Sequence, residues 1–228
     1  MNIFNYFDNP IFYGRRKGRK LSKSAELAII EGQKYLIKIE DLTNIFSKKN
    51  IILEIGFGDG GNLINSAKIN SNFFYIGADP FLNSTAKCLN KLLKYNLKNI
   101  AIWPDDIRKI LKYFPHNSIS EVKILFPDPW PKTKHQNRRL IQSEFIELIY
   151  SIIKPSGTIT IATDHDVLKN WVLEKFQTYT NFEWMAQSSK DWRFRPLDCF
   201  ETKYELKSII QKRKPSWFIF KKNKYNLN

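Results

Sequence analysis

The sequence predicts an α/β protein with a doubly wound, mostly parallel sheet of seven strands. Three observations carry that prediction. Short apolar runs recur along residues 50–163, and most end on Gly, Asp or Pro. The stretches between most of them show the three-to-four-residue periodicity of helices. A glycine-rich turn, Gly56-Phe57-Gly58-Asp59-Gly60-Gly61, follows the first run, where such folds pass tightly from strand to helix.

The elements follow in order. Apolar positions at Leu27, Ile30, Leu36 and Ile39 predict a helix over 24–46. "NIILEIG" (50–56) reads as a buried strand and 60–69 as a helix entered through glycines. A second strand (73–79) precedes a helix over 84–97, and "NIAIW" (99–103) makes a third strand. The fourth strand (120–126) leads to a helix at 143–154, and the fifth (157–163) to one at 166–176. The tail differs: "FEWMA" (182–186) and "SWFIF" (216–220) predict two edge strands separated by a helical stretch at 202–214. No repeat, low-complexity tract or composition shift marks a boundary. Residues 22–228 therefore read as a single domain behind a flexible basic arm, residues 1–21, that carries "YGRRKGRK".

The 228 residues suit one α/β domain with a full core. Hydrophobic residues at 43% and charged ones at 26% are ordinary for a globular chain. The charge balance is not ordinary. Against 22 Asp+Glu stand 37 Lys+Arg, a net +15 that attracts polyanions, of which nucleic acid is the usual one. Cys88 and Cys199 lack ligand-type spacing, so neither a structural zinc nor a disulfide framework is expected, and a reducing compartment fits. The first residues place aromatics, Asn, Asp and Pro before the positive charges, the reverse of a secretory signal. No apolar run approaches the ~20 residues of a membrane span. A soluble, cytoplasmic protein is expected, either monomer or homodimer.

In folds of this class ligands bind outside the carboxyl ends of the strands. Those positions here are rich in carboxylates. Gly56, Gly58 and Gly61 satisfy the dinucleotide pattern, a weak signal alone. Glu54 just before them and Asp59 among them would repel a pyrophosphate, which needs the loop's N–H groups free of negative charge. S-adenosylmethionine, with an ammonium, a sulfonium and no phosphate, suits them. Asp79 lies where an acid takes ribose hydroxyls, and Asp106 or its neighbour Asp105 follows the third strand, placed to accept from an adenine amino group. Any one of these acids reads equally well as a helix cap or loop residue. Their occurrence after successive strands favours a methyl donor over NAD.

The fourth strand runs into "FPDPWPK" (126–132), whose prolines stiffen the corner and hold Asp128 in one place. This corner is expected to wall the acceptor site. Trp130 reads either as a base-stacking residue or as packing, and the basic run 134–139 offers phosphate contacts. In this order "RRKGRKLS", "LEIGFGDGGNL", "FPDPWPKTKHQNRRL", "ATDHDVL" and "RPLDCFETKYELK" resemble the bacterial tRNA (guanine-N7)-methyltransferase family over residues 13–220. The resemblance implies a Rossmann-like class I methyltransferase fold. It also implies methyl transfer from S-adenosylmethionine to N7 of a guanosine in the tRNA variable loop.

Carried over by motif, Glu54, Gly56, Gly58, Asp79, Asp106 and Asp128 fall on the donor site, and Asp128 is also the proposed catalytic residue. Lys132, Asp164, Thr202, Lys203, Tyr204 and Glu205 fall on substrate-binding positions. Lys134, His135, Gln136, Asn137, Arg138 and Arg139 fall on the RNA-contacting stretch. The chain departs from the family pattern in having Asp79 where Glu is common, and a longer spacing between Arg195-Pro196 and Thr202.

The chemistry agrees with the resemblance. Guanine N7 carries a free lone pair and no proton, so orientation and electrostatics rather than a strong base are what it needs. Asp128 suits that as a fixed negative charge. Asp164 and Glu205 are candidates to accept from guanine N1–H and N2–H, with helix capping as the alternative for Asp164. No metal is expected. Rival readings are an amino methyltransferase acting on adenine or cytosine in RNA, a non-catalytic tRNA-binding protein on the same fold, and an NAD-dependent oxidoreductase. The first uses an Asp/Asn-Pro-Pro-aromatic corner, whereas here Trp130 separates the prolines.

Overall fold

The computed structural model describes residues 12–223, in two compact units that divide between Pro115 and His116. In the first unit the chain runs α1 (Lys23–Glu31), α2 (Leu42–Phe46), β1 (Ile51–Ile55), α3 (Gly61–Ile69), β2 (Phe74–Ala78), α4 (Leu82–Tyr95), β3 (Ile100–Trp103) and α5 (Arg108–Leu111). The strands form a parallel ladder, with β2 between β3 and β1. All five residues of β1 are buried, as expected of a strand covered on both faces.

The helix expected over 24–46 is broken. Ser22 caps α1 by accepting from the Ala25 amide, and the helix ends at Gly32, which lies against Leu89. A short 3₁₀ turn, Gly32–Tyr35, follows, and Leu36 then forms an isolated parallel bridge with Ile102. Tertiary bonds decide this: the Tyr35 hydroxyl donates to the Leu92 carbonyl and the Ile37 amide to that of Ile102. Local periodicity yields to them.

The basic arm, in its described part, is tied to this unit. The Leu82 amide donates to the Arg16 carbonyl, Gly18 N donates to Asn83 Oδ1, and Asn83 Nδ2 donates to the Arg19 carbonyl. The expectation for residues 1–11 lies outside the described residues.

In the second unit follow β4 (Ile119–Leu125), α6 (Ser143–Ile152), β5 (Ile153–Thr163), α7 (Asp166–Gln177), β6 (Phe182–Trp184), α8 (Lys190–Arg193), α9 (Lys203–Ile210) and β7 (Ser216–Lys222). β4 and β5 are parallel, while β7 lies antiparallel between β5 and β6. The tail thus supplies both expected strands, but only β6 is an edge strand, because β7 pairs on both sides. β5 begins four residues earlier than expected because Ile153 pairs with Ile119. Phe176 stacks on Phe220 at 3.9 Å between ring centroids, and Phe182 meets Phe176 edge-on, closing an aromatic core. The buried Lys222 spans the sheet end, donating to Asn117 Oδ1 and to the carbonyls of Tyr150 and Ile153.

Candidate active site

Within each unit, most residues singled out from the sequence lie at or just after the carboxyl ends of the parallel strands, whereas Thr202–Glu205 lie at the start of α9. In the first unit Glu54 is buried on β1, and its Oε2 accepts from Asn62 Nδ2 at 2.7 Å. The glycine turn that follows has positive φ at Gly56, Gly58 and Gly60. Gly60 caps α3, and a Cβ there would come within 2.7 Å of Cys88 Sγ, so no larger residue fits. Gly56 is different: it is exposed, and a Cβ built on it meets nothing within 4 Å. That open face is where a ligand can approach backbone directly.

Asp79 is buried beneath the turn, with Oδ2 accepting from Gly58 N and Oδ1 from Phe81 N, both at 2.8 Å. It shapes the loop as well as charging it. Asp59 pairs with Lys91 at 3.2 Å. After β3 the two neighbouring acids behave differently. Asp106 is buried and takes the Arg108 guanidinium with both oxygens, down to 2.6 Å, while Trp103 Nε1 donates to its carbonyl. Asp105 is half-buried and holds Arg16 and Lys109, each at 2.5 Å. Burial raises its pKa, but the bonds from Lys109 and Arg16 outweigh that and hold it below the ordinary value. Carboxylates with an open glycine face fit a cationic ligand such as S-adenosylmethionine and oppose a pyrophosphate.

In the second unit β4 ends in a bent corner. Phe126 and Trp130, neither a glycine, have φ of +56° and +41°. Both sit in the left-handed region, which costs a residue of this kind about 1 kcal/mol or more. Neighbours hold the bend. Phe126 N donates to the Ala162 carbonyl, and its ring meets Trp217 edge-on. Arg139, buried, donates to the carbonyls of Pro129 and Trp130 and lies 4.5 Å over the Trp171 ring. Of the six residues placed on the RNA-contacting stretch, Arg139 therefore faces inward as the clamp of the corner. Lys134, Gln136 and Asn137 are exposed on the 3₁₀ turn Thr133–Arg138, with Lys132 just before it. Trp130 takes neither extreme: it is half-buried, with Arg138 5.1 Å over its ring and His135 edge-on.

The bend presents Asp128. Its side chain is exposed as a whole, yet protein crowds its carboxyl, and this desolvation raises its pKa. After β5, Asp164 accepts from Arg213 Nε at 2.5 Å, and the N-cap position of the following helix falls on His165, with no side chain capping it. Capping therefore does not explain Asp164. Thr202 does cap a helix: its hydroxyl accepts from Glu205 N at 3.1 Å at the start of α9. Lys203 and Tyr204 are exposed, with the ammonium 4.9 Å over the ring. Glu205 is buried. Its Oε1 lies 3.3 Å from Arg195 Nε, and its Oε2 has no partner among the described residues. Burial pushes its pKa up against the pull of Arg195. An unpartnered buried carboxylate oxygen is costly unless something comes to meet it.

Several contributors escape the sequence reading. Arg108, Arg195 and Arg213 each hold a predicted acid. The strongest omission is Lys123, 2% exposed on β4. Its ammonium donates to the Asp198 carboxylate at 2.6 Å and to the Asp198 carbonyl at 3.0 Å, 3.6 Å from Glu121 Oε2. The carboxylates Glu121 and Asp198 keep Lys123 protonated, whereas burial pushes Glu121 up to about 6. Only the alternation of charge in "SEVKILF" hints at this pair. Among the described residues no three or more His, Cys, Asp or Glu gather as for a metal, and no helix is long and apolar enough to cross a membrane.

Residues 48–217 match a protein family described as "Putative methyltransferase". The chain is 33% identical over 226 residues to the tRNA (guanine-N(7)-)-methyltransferase of Jannaschia sp. (strain CCS1), covering 92% of this chain and 94% of that one. It is 35% identical over 218 residues to the protein of the same name from Agrobacterium fabrum, with the same coverage. Among solved structures it is similar to the 16S rRNA methyltransferase KamB, with a TM-score of 0.58 and 12% identity over 82% of this chain and 94% of that one. It is also similar to a 16S rRNA adenine methyltransferase from Catenulisporales acidiphilia solved with S-adenosylmethionine (TM-score 0.54, 12% identity, 82% and 92% covered). At such identities the likeness is one of fold. That fold is the Rossmann-like class I methyltransferase fold, a mixed, mostly parallel seven-stranded sheet flanked by helices, as the sequence predicts.

Proposed function

We propose that this chain, which belongs to the tRNA (guanine-N(7)-)-methyltransferase family, transfers a methyl group from S-adenosylmethionine to N7 of a guanosine in the variable loop of tRNA. The observation that carries the assignment of roles is the pair of carboxyls on the acceptor side. Asp128 is presented on a braced, strained corner, and Glu205 is buried with one oxygen unmatched. In this reading residues 22–228 work as a single methyltransferase domain in the cytoplasm, preceded by the basic arm.

The first unit holds the donor. Glu54, Asp79 and the backbone of Gly56 and Gly58 line its place, with Asp106 fixed by Arg108 at the end of β3. S-adenosylmethionine supplies a methyl group on a sulfonium, activated for displacement without further help. The second unit presents the acceptor. Glu205 accepts from the guanine N1–H and N2–H edge, and Asp164, steadied by Arg213, assists. Lys132 and the exposed residues of 134–138 take phosphates.

N7 has no proton to lose, so Asp128 acts as a charge. Positive charge is present before transfer and passes to the purine during it. A carboxylate held still by the Arg139 clamp stabilises that charge without reorganising. The test uses labelled S-adenosylmethionine and two tRNA transcripts that differ only in guanosine or adenosine at the variable-loop position, followed by borohydride and aniline cleavage. A single cut in the guanosine transcript alone is expected. Methyl transfer without a cut would move the target to an amino group or carbon, and tight binding without transfer would leave a binding protein.

A further inference from the structure

The second unit carries a groove that none of the roles above uses. It has a volume of about 340 Å³ and is lined by the apolar Trp184, Met185, Phe194 and Leu197 and by the charged Lys190, Asp191 and Arg195. Its apolar residues are not hidden: Trp184 is 39% exposed, Phe194 68% and Leu197 fully. A chain has little reason to leave two aromatics and a leucine side by side in water unless something covers them.

The groove is held in shape. Trp184 is backed by Phe218 at 6.0 Å between ring centroids, and Met185 N donates to the Ile219 carbonyl. On the other wall, the segment after α8 is fixed by the buried Lys123 through Asp198, and Arg195 Nη1 donates to the Cys199 carbonyl at 3.4 Å. The charge is sorted as well. Asp191 turns its carboxylate back onto the amides of Gln187 and Ser188, and Asp198 is spent on Lys123. Lys190 and Arg193 have no ion pair among the described residues, and Arg193 lies 4.8 Å over the Trp192 ring. Aromatics interleaved with cations, in "WRFR" (192–195), where Phe194 is exposed and Trp192 half-buried, are what a single-stranded nucleic acid needs. Bases stack on the rings and the cations follow the phosphates.

We propose that this groove is a stacking platform for an unpaired nucleotide of the RNA substrate. The inference rests on the reading of the chain as a tRNA methyltransferase and assigns it a second RNA contact. Arg195 joins the two, since it lines the groove and pairs with Glu205. N7 of a folded tRNA is reached only by local opening of its core, and a displaced base needs a place to stack meanwhile. The net charge of +15 favours a polyanion over an acidic-poor apolar partner.

The test is steady-state methylation of an unmodified tRNA transcript by Phe194→Ala, Phe194→Leu and Phe194→Tyr. Phe194 is exposed, so none of the three removes core packing, and circular dichroism checks the fold. With Ala or Leu the KM for tRNA should rise about tenfold at unchanged kcat, whereas Tyr, which keeps the ring, should match the native enzyme. The salt dependence of binding should not change in any of them, but Lys190→Ala should lower its slope by about one counterion. An unaltered KM in Phe194→Ala overturns the platform, as does full retention by Phe194→Leu, which would mean apolar docking without stacking. So does self-association of the native chain that Phe194→Ala abolishes without touching tRNA affinity, which would give the groove to a second copy. If the native chain itself fails to methylate N7, the failure lies in the function proposed above and not in the groove.

Discussion

The two units solve opposite problems with the same residue types. In the first, the acids singled out are matched within the protein: Asp79 by two backbone amides, Glu54 by Asn62, Asp106 by Arg108. In the second, desolvation lifts Asp128 and Glu205, Glu205 keeps an unmatched oxygen, and the corner that presents Asp128 carries two left-handed residues. A half that binds a small cationic donor can be finished in advance. A half that must accept a base from a large RNA has to leave its polar groups open, and the surrounding fold must hold them there.

That difference can be broken in graded ways. The largest effect is expected on the acceptor side: Asp128→Ala should lower kcat by about 10²–10³-fold, a loss typical of a preorganised electrostatic group. Donor affinity and tRNA affinity should change little, and equilibrium binding beside initial rates checks this. Next comes the support beneath the groove. Lys123→Met removes one partner of a buried pair and should cost about 3 kcal/mol in denaturant unfolding. This is the low end of such losses because Asp198 is 60% exposed. Adding Glu121→Gln should recover part of it.

Removal of the chain before Leu21 takes away Arg15, Arg16, Lys17, Arg19 and Lys20. It should weaken tRNA binding about tenfold at moderate salt and flatten the salt slope, and an unchanged slope would mean the arm contacts no phosphate. Thr202→Ala, which removes the cap of α9, should cost about 1 kcal/mol of stability.

The pH dependence sharpens the same contrast. Asp128 and Glu205 have raised folded pKa values, and the proposed roles need both ionised. The rate should therefore fall on acidification, and at a higher pH than unshifted carboxylates would give. Stability runs the other way for such groups. Their contribution is fully present below the unfolded pKa and is lost as pH rises through the folded one. For Glu121, pushed up to about 6, the window lies between the ordinary carboxylate value and that pH. Glu121→Gln should remove this part of the pH dependence in a series of melts.

What the sequence makes legible is what local pattern controls. Buried strands such as Ile51–Ile55 announce themselves by composition, and the acids after them by position. The cap that Thr202 gives α9 goes unread, because the resemblance places Thr202 on a substrate-binding position. The breaks come where distant bonds decide. Tyr35 and Ile37 reach Leu92 and Ile102 and end the predicted helix. Arg139, one of a basic run by sequence, turns inward because carbonyls of the corner and the Trp171 ring receive it. Lys123 and Asp198 are 75 residues apart, and nothing local brings them together. Helix capping, the alternative reading of Asp164, gives way because Arg213, 49 residues on, takes its carboxylate.

The central claim is that Asp128 works by fixed charge and not by shape or by taking a proton. Asp128→Asn keeps the outline of the side chain and removes the charge, so the measurement is the single-turnover rate of N7 methylation by this variant at saturating donor and tRNA. The account predicts a rate as low as that of Asp128→Ala, with both ligands bound as in the native enzyme. A rate near that of the native enzyme would contradict it.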